Sequence, residues 1–105
     1  MNFIKLNDIT AVNVNPKIAA RHIPSEFKSK SVNIRIQPGG ILPMHTTPVD
    51  VIFYVISGNG TVIIGDERQD VSTGTFIDSP KDIPHGWENN DVNNELSILV
   101  IKLFS

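Results

Sequence analysis

Cysteine is absent from this 105-residue chain. That excludes disulfides, cysteine-ligated zinc and a thiol nucleophile. A surplus of basic charge is missing too: Lys and Arg number 9 against 11 Asp and Glu, a net charge of -2 and a pI near 5.8. Nucleic-acid binders carry clustered Lys and Arg in a basic domain, so no nucleic-acid partner is expected. No apolar run approaches the ~20 residues of a membrane span, so no membrane partner is expected either. The N-terminal stretch MNFIKLNDIT lacks an apolar run with a small-residue cleavage site, and the chain is read as soluble and cytoplasmic. Aromatic residues are few, with 1 Trp, 1 Tyr and 5 Phe. No segment carries a helical period, and no linker, charge run or repeat divides the chain. Residues 1–105 are therefore read as one domain.

What is present is strand pattern punctuated by turns. Ser31 to Gln37 alternates, with Val32, Ile34 and Ile36 on one face and Asn33, Arg35 and Gln37 on the other; a period of two is the strand signature. Val51 to Ile56 is apolar on both faces, as a strand covered on both sides would be. Thr61–Ile64 and Arg68–Ser72 flank Gly65-Asp66-Glu67, a hairpin signal. Thr75–Asp78 and Leu96–Phe104 read as further strands, the last interrupted by Ser97 and Lys102. Short strands are expected within Met1–Val14 and at Lys17–Ile23, a loop around residues 24–30, and an Asn/Asp-rich loop at Asn89–Asn94. Many short strands with frequent turns predict an all-β sandwich or barrel.

Two histidine segments carry the chemistry. Pro38-Gly39-Gly40 ends one strand, His45 precedes Val51–Ile56, and Gly58 closes the stretch. His85 follows the loop Ser79–Pro84. Gly40, His45, Thr47, Val51 and Gly58 resemble the first motif of the cupins. Gly74, Pro80, His85 and Asn89 resemble the second, with Asp82 where a glycine is usual. The chain is thus similar to small single-domain cupins of the type-2-like, RmlC-like superfamily, with a degenerate first motif. The resemblance implies a double-stranded β-helix, or jelly-roll barrel, with a central pocket, and a homodimer paired through its sheets.

It also implies a metal set of three histidines and one glutamate, of which this chain keeps His45 and His85. Thr47 stands where the second histidine would be, and Val51 where the glutamate would be. A threonine hydroxyl is a weak ligand for a first-row metal and valine is none. Asp50 and His22 are the further candidate donors. Asp50 would aim away from the face of Val51 on a regular strand, unless a bulge near Pro48 shifts the register. His22 shares its face with Ile18 and Ala20. Thr47, Val51, Phe53 and Trp87 are the candidate pocket residues, although Phe53 and Trp87, like Tyr54 and Phe76, read first as core or dimer-interface residues. Asn89 is expected to hold its loop through local backbone hydrogen bonds.

Two functions stand side by side. One is a metal-dependent enzyme of oxygenase or isomerase type, with one divalent transition metal on His45 and His85 and a small-molecule substrate. The other is a metal-free small-molecule binding or regulatory module. The two replaced donors leave open whether the chain is an enzyme.

Overall fold

The structure, a computed structural model, describes residues 1–104. Ten strands follow in chain order: β1 (Val12–Asn15), β2 (Ile18–Ile23), β3 (Ser29–Ile36), β4 (Ile41–His45), β5 (Val51–Ser57), β6 (Asn59–Ile64), β7 (Glu67–Ser72), β8 (Phe76–Ser79), β9 (His85–Glu88) and β10 (Leu96–Leu103). They form two antiparallel sheets. One has six strands in the order β1-β2-β3-β10-β5-β8, and the other has four in the order β4-β9-β6-β7. This is the all-β architecture that the strand pattern predicts, in the jelly-roll form that the cupin resemblance implies.

The period-two residues meet in the middle. Ile98 and Val100 of β10 and Val51, Phe53 and Val55 of β5 are buried between the sheets, together with Trp87 of β9 and Val62 of β6. β10 lies at the centre of the larger sheet, pairing with β3 along its whole length and with β5 from Ser57 to Val51. Its inward residues Leu96, Ile98 and Val100 are buried, and Leu99 and Ile101 on its other face are half-buried. The hairpin β6–β7 turns at Gly65-Asp66, with Gly65 at φ 57°, a left-handed value that glycine adopts without a Cβ clash.

Three local expectations change. Most of the first eleven residues are not strand: Leu6–Asp8 is a single 3-10 turn and only Val12–Asn15 pairs, at the sheet edge. β4 and β9 were not legible as strands. β4 contains Pro43, which has no N–H for a ladder and so fits an edge strand; β4 is the edge of the smaller sheet. β9 is only four residues, His85-Gly86-Trp87-Glu88, too short to show a period.

Candidate functional site

The site forms where β4 crosses β9. Leu42 lies opposite Trp87, so two residues on Met44 would lie opposite His85. It does not: the register shifts between Leu42 and His45, and His45 is the partner of His85. One extra residue is held at Pro43–Met44, a bulge, and bulges re-aim the side chains that follow them. Gly86 makes room for it. A Cβ there would come within 2.8 Å of the Leu42 carbonyl oxygen and 3.0 Å of the Met44 sulfur. A glycine in β9 and a proline in β4 together bring the two imidazoles face to edge, with ring centroids 4.6 Å apart and planes at 79°.

The stacking continues inward. Phe53 meets His85 at 5.1 Å and Trp87 at 5.5 Å, both edge-on, a favoured geometry for aromatic pairs. The column runs from exposed His45 to fully buried Trp87. Phe53 and Trp87 therefore fill the core end of this site. The Trp87 indole nitrogen has no hydrogen-bond partner among the described residues.

His85 is held at both nitrogens. Ser79 Oγ lies 2.7 Å from Nδ1, and Thr47 Oγ1 lies 3.1 Å from Nε2. All three side chains are buried. Burial pushes the His85 pKa down to about 4, helped by the charges on His45 and Lys102. At neutral pH the ring is uncharged, one nitrogen donating and the other accepting, and a hydroxyl can serve either role. His45 differs. Its Nδ1 lies 2.9 Å from the Pro43 carbonyl oxygen, which can only accept, so Nδ1 carries the proton and Nε2 of the neutral ring is left for another partner.

The remaining candidates do not join them. The Asp50 carboxylate accepts from the Lys81 backbone N–H at 2.9 Å and is exposed, so it ties the 80–83 turn to β5. Val51, the next residue, is buried and opposite Ser79. His22 is exposed near the end of β2, although Ile18 and Ala20 are buried. Among the described residues no group of three or more His, Cys, Asp or Glu could hold a metal ion. The donor set does not fit a resident catalytic metal: two imidazoles stand alone, and one has both nitrogens taken by hydroxyls of its own chain.

Sequence reasoning missed two residues here. Ser79 had no signal, because its role depends on a strand pairing. Lys102 did leave one. It shares its face with Ile98 and Val100, so the charge sits on the inward side of β10. Asn89 does more than hold its own loop. It is buried, donates to the Asn94 carbonyl and to the distant Ile36 carbonyl, both at 2.9 Å, and accepts from Asp91 N–H at 3.0 Å.

Comparison with known proteins agrees with the architecture. Among curated proteins none matches the chain in sequence. The fold is similar to that of KdgF from Halomonas sp., with a TM-score of 0.86 and 20% identity over 100% of this chain and 96% of that one. It is similar to the polyketide cyclase RemF from Streptomyces resistomycificus, with a TM-score of 0.86 and 20% identity over 97% and 78% of the two chains. A predicted oxalate decarboxylase from Thermotoga maritima gives a TM-score of 0.85 at 18% identity over 98% and 100%. Identities this low establish the shared fold and no more. The cupin domain family matches residues 32–102, the span that carries the histidine segments and all but two of the ten strands, and the chain belongs to that family.

Proposed function

We propose that this protein is a metal-free small-molecule binding module whose ligand sits at the His45 end of the barrel. One observation carries the reading: His85 spends both ring nitrogens on Ser79 and Thr47. A ligating imidazole needs one nitrogen free for the metal. Val51 in place of a carboxylate and Asp50 turned to the Lys81 backbone support the same reading. His45, exposed and with Nε2 unengaged among the described residues, is the group best placed to meet a ligand, and Thr47 is the neighbouring hydroxyl.

The competing reading is a metal-dependent enzyme of oxygenase or isomerase type; the similar folds include enzymes, among them a polyketide cyclase. It requires Thr47 to release His85 Nε2. Untagged protein incubated with Fe(II), Mn(II), Ni(II), Zn(II) or Cu(II), then desalted, should retain far less than one metal per chain by mass-spectrometric metal analysis. A stoichiometric metal that is lost in both His45→Ala and His85→Gln would sink the metal-free reading.

A further inference from the structure

The inward face of β10 ends on Lys102, which makes no ion pair among the described residues. Lys102 lies directly opposite Val51 on one side and directly opposite Lys30 on the other. Val51 in turn lies opposite Ser79, whose hydroxyl holds His85. Directly opposite residues of an antiparallel pair have Cβ atoms about 5 Å apart. One transverse row therefore runs Lys30, Lys102, Val51, Ser79, and ends on the imidazole. Lys102 is half-buried on the face that Ile98 and Val100 present to the core.

Like charges placed directly opposite each other on a sheet are destabilising. A structural role for the pair would come with an acid between them. Among the described residues the ion pairs are Arg35–Glu95 and Arg68–Glu88, and neither lysine is in one. Lys30 instead lies over the Phe104 ring at 5.6 Å. Asp50 is turned away to Lys81. Beside the buried, apolar Val51 this chain presents the lysine side chain of position 102.

We infer that the ligand of this site is an anion, a carboxylate or a phosphate, with Lys102 as its charge partner and His45 as the second group that meets it. The inference rests on the metal-free reading and names the ligand class for it. A partly buried anion needs a paired charge and hydrogen bonds to offset the loss of water. Lys102 supplies the charge. The exposed His45 ring, edge-on to His85, is the neighbouring imidazole.

The test is a titration of metal-stripped protein at pH 7 and fixed ionic strength, followed through the ring-proton NMR signals of His45 and His85. The probes are benzoate, succinate and inorganic phosphate, with benzamide and succinamide as neutral counterparts. At least one anion should bind about tenfold or more tightly than its neutral counterpart or, for phosphate, than either amide, since 1.4 kcal/mol is a factor of ten. Lys102→Met should abolish most of that preference, and Lys102→Arg should keep it with an unchanged melting temperature. Response to carboxylates and response to phosphate identify the two sources of the same chemistry. Amides as tight as the acids, equal binding by Lys102→Met, or no response to any anion would overturn the inference. Tight neutral ligands with no anion preference would overturn it while leaving the binding module intact. A retained stoichiometric metal would instead remove the reading beneath it.

Discussion

The two histidine segments of this barrel have gone different ways. Residues 74–89 supply Ser79, His85, Trp87 and Asn89, and every one of these is almost wholly buried. Residues 38–58 supply His45, which is exposed, and Thr47 and Val51, which are buried without a ligating group. The second segment has become framework. Its histidine is locked between two hydroxyls, its tryptophan fills the core, and its asparagine ties its own loop to the distant Ile36 carbonyl. The first segment keeps the only one of these two imidazoles with a nitrogen left for a ligand. Two residues that look equivalent as motif positions are thus unequal in chemistry, because burial and hydrogen bonding separate them.

That inequality is open to measurement, and the largest effect should come from exchanging which histidine is removed. His85→Ala leaves two buried hydroxyls short of a partner and opens a void beside Phe53, at a cost of about 3 kcal/mol in chemical denaturation. His45→Ala should cost about 0.5 kcal/mol or less, as an exposed substitution. Equal losses would erase the contrast.

The next effect is in pH. Folded His85 titrates near 4, against 6.5 for an unperturbed imidazole. Between these values the unfolded chain binds a proton that the folded chain does not, so stability falls as the pH drops from about 6.5 to about 4. Above that window the group contributes no slope. The denaturation midpoint of the wild type should therefore fall more steeply over this interval than that of His85→Gln. Parallel curves would place a charged or solvated imidazole at position 85.

The smallest effect concerns Asp50. Asp50→Ala removes an acceptor for one backbone N–H at an exposed turn, and should cost about 1 kcal/mol or less. Ligand binding to the barrel should be unchanged. A loss of binding with no loss of stability would return Asp50 to the site and sharpen the first segment's role.

Much of the architecture was legible in the residues. Alternation at Val32, Ile34 and Ile36 marked an inward face, and these residues do face the core. Apolar character on both faces of Val51–Ile56 marked a strand covered on both sides; β5 buries Val51, Phe53 and Val55, while Ile52, Tyr54 and Ile56 on its other face are half-buried. β4 and β9 escaped notice because a bulge over Gly86 interrupts one and four residues are too few for a period in the other.

The site was legible only in part, for a physical reason. Residue types and local order, read in sequence, determined the barrel, the two histidines and the loss of donors at Thr47 and Val51. The all-β class follows from a two-residue repeat, which is local, and the barrel form and the lost donors follow from the motif resemblance, which is read along the chain as well. Tertiary structure alone decided that His85 is clamped by Ser79 and Thr47, that Asp50 faces Lys81, and that Lys102 stands in the same row as Val51. Those facts depend on strand register between segments up to 51 residues apart, and on a bulge that turns His45, not Met44, toward His85. Register is set by the packing of the whole sheet, and no short stretch of this chain contains it.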